Sequence, residues 1–497
     1  MTDRAPAVGI PRLEVGIPGF DVVAEGGIPA ARSTLVAGTA GSGKTLLGVQ
    51  YLVAGIERYG QGGVLVTFEE PADEIMRNVR SLGWDLRAHH AAGRLGIVDV
   101  AGVAGEEIFE AGQFDFQGLL ARVERAIEKV SAVRVVLDSL TGIFPQFTDQ
   151  HAVRRELARV TARLRALGVT TVMTAERSEE YGPIARYGVE EFVADNVVIL
   201  RHPLNRERRR RTLEILKFRG APHQHGEYPF SIDGRSGVTV IPLAETGLKT
   251  RALPYRSSIG KPAVDKMCGG GIFQDSIVLV SGATGTGKTM MVTEFLAAGL
   301  RSGQRGLFFS FEESRPQILR NAASWGVDFG DAEAEGMLRI DSRYPERLGL
   351  EDLLVEMRHQ IEEFRPKRLA IDSLSVLDRV SSGALFREFV VGMTSLIKEF
   401  ELVAMCTSTA DLGGGTQSTE LTPVSTITDT IIVLRYLERA SEVHRCLTIL
   451  KMRGSAHDKT IREYTIGDTG MELGGPVSGA TGILTGSSAV QDDPPPP

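Results

Sequence analysis

Two octapeptides, Gly38-Thr39-Ala40-Gly41-Ser42-Gly43-Lys44-Thr45 and Gly282-Ala283-Thr284-Gly285-Thr286-Gly287-Lys288-Thr289, set glycines at one spacing and close on Lys-Thr. That spacing lets a backbone wrap a phosphate closely, with successive N–H groups aimed at its oxygens. Lys44 and Lys288 would place a point charge on the β- and γ-phosphates. Thr45 and Thr289 would offer a hydroxyl to magnesium. Asp138 and Asp372 each close an apolar run and fit the acidic residue that holds magnesium or one of its waters. These residues predict two sites for ATP and Mg2+.

Two acidic pairs follow the loops, Glu69-Glu70 and Glu312-Glu313. Adjacent residues at the end of a strand point to opposite faces, so one of each pair would face the γ-phosphate. Glu69 fits a group that polarises an attacking water, and Glu312 a general base for a hydroxyl. Lys217 and Arg219, like Lys451 and Arg453, stand two apart, which on a strand puts both cations on one face. Such cations can neutralise a departing phosphoryl group from a neighbouring subunit. His223 and His457 each follow the second cation by four and are read as rim residues of the site.

The motifs recur in order, which fixes the organisation. Lys44 and Lys288 are 288 − 44, or 244, residues apart. Val64–Glu70 answers Leu307–Glu313, Arg134–Leu140 answers Arg368–Leu374, and Leu216–Gly220 answers Leu450–Gly454. The offset falls by nine between the second and third matches, so extra residues in the first half are expected near Ala101–Gln113. Short apolar runs precede each loop, and helices are expected over Thr45–Tyr59 and Thr289–Arg301. Val153, Leu157, Val160, Leu164 and Leu167 keep the spacing of a helix lying on a sheet. Continuous apolar strands alternating with helices predict two tandem α/β domains, each a mostly parallel sheet with helices on both faces. The expected domains are 14–243 and 257–470, with a linker over 244–256. From Met471 the chain is rich in Gly, Ser, Ala and Thr, and a flexible tail is expected over 471–497.

Asp195–Leu200 aligns with Asp429–Leu434, but Glu191-Phe192 just upstream is replaced by Ser425-Thr426. The halves are therefore not equivalent. Hydroxyls can accept a phosphoryl group; on spacing alone a β-compatible Ser/Thr stretch stays an equal reading. The three cysteines, Cys268, Cys406 and Cys446, suggest neither a disulfide framework nor a zinc site, so a cytoplasmic protein is expected. No run reaches the roughly 20 apolar residues of a membrane helix. Net charge is −7, and the one basic run, Arg206–Arg211, reads as a turn or subunit contact. Nucleic acid is an unlikely partner on that balance. The rival functions are a RecA- or DnaB-like DNA-dependent motor and a scaffold that binds ATP only to hold its assembly together.

These residues resemble the KaiC family of RecA-like clock ATPases and autokinases, from about Gly16 to Ile466. The resemblance extends to Glu179–Gly188, Asp265–Gly271, Ser425–Thr430 and Lys451–Ser455. It implies two RecA-like domains in a hexameric double ring assembled with ATP. The first would be an ATPase and the second a serine/threonine autokinase and autophosphatase, acting on Ser425 and Thr426 across the subunit interface with Glu312 as base. Implied partners are other copies of the chain, a KaiB-like protein, or a histidine-kinase and response-regulator output. Three departures stand out: Glu420 in place of a third acceptor threonine, Ala456 in place of a tryptophan near the nucleotide, and a tail unlike the family's regulatory end. Control by a KaiA-type activator is therefore not implied.

Overall fold

The computed structural model describes residues 10–101, 109–110, 113–114, 116–143, 150–188, 193–205, 208–242, 254–344, 349–409, 422–439, 442–478, 480–481 and 489–490. Contacts divide the chain into two compact units, Met1–Pro242 and Leu243–Pro497.

In the first unit the strand Ser33–Gly38 (β1) leads through the phosphate loop into the helix Lys44–Tyr59 (α1). Then come β2 (Gly62–Thr67), β3 (Leu95–Asp99), α2 (Phe116–Val130), β4 (Ala132–Asp138), α3 (Gln150–Ala166) and β5 (Thr170–Glu176). Strands β6 (Asn196–Arg201), β7 (Thr212–Phe218), β8 (Glu227–Asp233) and β9 (Gly237–Val240) follow. Among the described residues they form one nine-stranded sheet in the order β3-β2-β4-β5-β1-β6-β7-β8-β9. The strands from β3 to β6 are parallel, and β7 to β9 are antiparallel. Alternation along the strands feeds two cores. Val36, Leu65 and Val136 pack with α1 on one face, while Leu35, Val64 and Val135 pack with α2 and α3 on the other. The stripe expected on α3 is there: Val153, Leu157, Val160 and Leu164 are buried, and Leu167 packs just past the last turn.

The second unit repeats the plan. Its elements are β10 (Ile277–Gly282), α4 (Lys288–Arg301), β11 (Gly306–Ser310), β12 (Leu338–Ser342), α5 (Leu350–Phe364) and β13 (Arg368–Asp372). They continue with α6 (Gly383–Glu399), β14 (Val403–Thr409), α7 (Thr422–Ile427), β15 (Thr430–Arg439), β16 (Glu442–Met452), β17 (Arg462–Gly467) and β18 (Gly470–Pro476). The strand order, β12-β11-β13-β14-β10-β15-β16-β17-β18, is that of the first sheet.

Buried arginines brace each unit. Arg134 donates to the carbonyls of Glu14, Val15 and Tyr51 and to Gln61 Oε1. Arg368 donates to the carbonyls of Ser258 and Phe295 and to Gln304 Oε1. Each guanidinium fastens the entry segment of its unit to the first helix after the phosphate loop.

Three local expectations need correction. The acidic pairs do not end strands: β2 stops at Thr67 and β11 at Ser310, and the pairs lie in the bends beyond. Arg219 and Arg453 lie past the last residues of β7 and β16, Phe218 and Met452, so neither shares a strand face with its lysine. The sheet also continues past Met471, because β18 pairs with β17 and Met471 is buried beneath it. Backbone pairing orders a glycine-rich segment whose side chains alone could not. The expected insertion lies largely outside the described residues, as do most of the linker and all of Glu191-Phe192 and Glu420; Phe109–Glu110 pairs with Gln113–Phe114.

Candidate functional site

The phosphate loops leave the carboxyl ends of β1 and β10, strands flanked on both sides by parallel neighbours. In open α/β sheets that crevice is where ligands bind. Gly43 and Gly287, at the helix starts, have φ of 98° and 92°, a left-handed backbone that a side chain would strain. Lys44 Nζ donates to Thr39 O at 2.9 Å, and Lys288 Nζ to the carbonyls of Gly282 and Ala283 at 2.9 and 3.0 Å. Burial lowers the pKa of both lysines.

The residues expected to hold magnesium meet in both units. Thr45 Oγ1 donates to Asp138 Oδ2 at 2.9 Å, and Thr289 Oγ1 to Asp372 Oδ2 at 2.6 Å. The other oxygen of each aspartate accepts from Thr174 and Thr407, one strand over. Burial pushes both aspartates up, against those hydroxyl bonds. A buried carboxylate beside a hydroxyl, with the loop lysine near, is a donor set suited to a hard, hydrated divalent cation. Thr174 and Thr407 were not singled out from sequence, although their matched places in β5 and β14 were a readable signal.

The acidic pairs divide by hydrogen bonding. Glu69 is held by Ser139, the residue after Asp138, and lies within the influence of Lys44; burial, then Glu176, then Asp138 raise its pKa. Glu312 is likewise held by Ser373 Oγ at 2.7 Å, with Arg379 at 3.9 Å. Glu70 and Glu313 turn away to Asn78 and Asn321 at 2.7 and 3.1 Å. The phosphate loops also differ: Thr39 Oγ1 donates to Glu180 at 2.7 Å, whereas Ala283 stands at the equivalent place.

Lys217, Lys451 and the Ser425-Thr426 segment lie elsewhere. Lys217 pairs with Val197, which pairs with Leu35, while the loop begins at Gly38 opposite Leu200. Lys451 pairs with Ile431, beside Leu279, while Gly282 lies opposite Leu434. Three residues of strand span about 10 Å. Lys451 Nζ donates to the carbonyls of Ser425 and Thr428 at 2.7 and 2.8 Å, which fixes the Ser425-Thr426 segment at that same far end. Ser425 is half-buried in α7. Arg453 lies 3.9 Å from Asp429, and Arg219 is exposed. His223 packs on Phe218 and His225; Nε2 of both His223 and His457 is buried without a hydrogen-bond partner. Within one unit, then, the phosphate loop occupies one end of the sheet, and the cations and hydroxyls occupy the other.

No described helix is long and apolar enough to cross a membrane. Residues 13–245 and 258–477 match the family described as ATPase: KaiC. The chain is 52% identical over 480 residues to the circadian clock protein KaiC3 of Synechocystis sp., covering 96% of this chain and 95% of that protein. It is 50% identical over 486 residues to the circadian clock oscillator protein KaiC of Parathermosynechococcus lividus, covering 98% and 89%. Two ATP-type pockets on two copies of one fold, matched along nearly the whole length, place the chain in the KaiC ATPase family.

Proposed function

We propose that the first unit hydrolyses ATP and that the second transfers the γ-phosphoryl group of ATP to Ser425 and Thr426 of a neighbouring copy. The observation that carries this reading is the polarity of the second sheet: its acceptor segment lies at the end opposite its own phosphate loop. A donor and an acceptor that far apart cannot react within one subunit, so the transfer runs between copies. A closed ring of six, assembled with ATP, satisfies every pocket with one repeated contact.

In the second unit the acceptor hydroxyl oxygen bonds to Pγ as the bond from Pγ to the bridging oxygen breaks and ADP leaves. The hydroxyl proton passes to Glu312, whose other oxygen is fixed by Ser373. The same residues carry the reverse reaction when ADP is bound. Thr289 and Asp372 would hold Mg2+, which when bound neutralises charge on the β- and γ-phosphates. Lys217, Arg219, His223, Lys451, Arg453 and His457 belong to the face that meets the neighbour's nucleotide. The relatives' names bring a timing role into the same reading, and the family resemblance adds a KaiB-like partner or a histidine-kinase and response-regulator output.

The test is incubation with γ-labelled ATP and Mg2+. Label retained on Ser425 or Thr426, and lost in Glu312→Gln with rings still forming, supports the reading; label persisting in Glu312→Gln refutes the base.

A further inference from the structure

Strand β5 ends on Glu176, which pairs with Gly38 at the start of the first phosphate loop. Thr174, two residues earlier, reaches Asp138. Side chains two apart on a strand share a face, so the Glu176 carboxylate stands on the magnesium side of the sheet. Its N–H is held by Thr141 Oγ1 at 2.8 Å, and Arg186 steadies its carboxylate at 3.6 Å while 35% of the side chain stays open. Its charge acts on both neighbours, opposing the effect of burial on Lys44 and adding to the effect of burial on Glu69. In the second unit the equivalent strand ends on Thr409, paired with Gly282 in the same register. Beside Asp138, Lys44 feels the charges of Glu176, Glu69 and Glu180; beside Asp372, Lys288 feels that of Glu312 alone, with Thr409 at the strand end matching Glu176.

The difference matches the number of hydrogens on the nucleophile. Water has two O–H bonds, and an oxygen that donates only one remains free to turn about it. Donating both fixes its lone pairs toward phosphorus. A serine or threonine hydroxyl has one hydrogen and is oriented by its own carbon, so a single carboxylate suffices.

We propose that Glu176 is a catalytic residue of the first unit, accepting the second hydrogen of the water that Glu69 activates. This rests on the first unit being the hydrolytic one. The water oxygen bonds to Pγ, and the bond to the bridging oxygen breaks with its electron pair leaving on ADP. One proton passes to Glu69, and the other hydrogen stays on the product phosphate, donated to Glu176.

The experiment measures phosphate release by the full chain in a Glu312→Gln background, so that the first unit dominates the signal. Glu176→Thr, which installs the second unit's residue, is expected to lower kcat about 10- to 100-fold, the cost of a misaligned nucleophile. The KM for ATP should stay level or fall, because a negative charge beside Lys44 has been removed. Glu176→Gln, which keeps an accepting oxygen, should recover part of the loss. Binding of a fluorescent ADP analogue checks that both variants fold. An unchanged kcat in Glu176→Thr, or a loss confined to KM, overturns the assignment. Unchanged release in Glu69→Gln overturns the hydrolytic reading beneath it instead.

Discussion

Glu69 and Arg134 show what single residues contribute. Burial and the neighbouring Glu176 and Asp138 carboxylates hold Glu69 above the ordinary carboxylate range. If Glu69 is the base, as proposed, it acts when deprotonated, so hydrolysis should fall as pH drops through that raised pKa, on an acid limb displaced above the usual value of about 4.3. A pH profile of phosphate release in the Glu312→Gln background checks this, and a limb at the ordinary value would contradict it. Arg134 is 1% exposed, and its guanidinium answers three backbone carbonyls. Arg134→Ala strands those acceptors and should cost about 3 kcal/mol or more, read as a lower urea midpoint. Arg134→Lys should not restore it, because an ammonium lacks the planar fork. Burial lowers the pKa of Arg368 to about 10, and this residue plays the same part in the second unit.

At the scale of elements, the helices after the phosphate loops carry a glycine where the buried arginine crosses. A Cβ on Gly55 would sit 2.4 Å from Arg134 Cδ, and one on Gly299 would sit 2.3 Å from Arg368 Cδ. Glycine inside a helix ordinarily costs about 1 kcal/mol relative to alanine. Here Gly55→Ala should destabilise despite the better propensity, and the sign should reverse in an Arg134→Ala background, where the obstruction is gone. Paired urea titrations decide between the two. The sequence made the helices and the apolar strands of both sheets readable, because burial on both faces leaves uninterrupted Val, Leu, Ile and Ala. It did not make readable where strands stop. β2 ends before Glu69, where the backbone bends at the phosphate-loop end of the sheet, and β7 before Arg219, where it turns at the opposite end; composition carries no mark of where either strand stops. β18 was hidden for the opposite reason: its glycines suggest a tail, but its order comes from hydrogen bonds to β17. Glu69 and Glu312 were preferred over Glu70 and Glu313 on the opposite faces of a strand, but the pairs lie in bends, and what holds Glu70 and Glu313 aside is Asn78 and Asn321, eight residues on.

For the whole molecule, the decisive feature is that the second sheet holds its phosphate loop at one end and the proposed acceptors, Ser425 and Thr426, at the other. If transfer passes between copies, subunits carrying Glu312→Gln still offer a hydroxyl, and subunits carrying Ser425→Ala with Thr426→Ala still hold a competent pocket. Mixed before ATP is added, they should label the Glu312→Gln chains, although neither preparation labels alone. Label absent from the mixture, with mixed assemblies demonstrated by mass, would count against transfer between copies. Sizing with and without ATP and Mg2+ should show the assembly growing with nucleotide. A chain whose giving and receiving ends face opposite ways cannot act on itself. On this reading its phosphorylation is a collective property that vanishes on dilution, and each copy's state is written by one neighbour while it writes the next. News of a spent nucleotide would then travel one way around the circle.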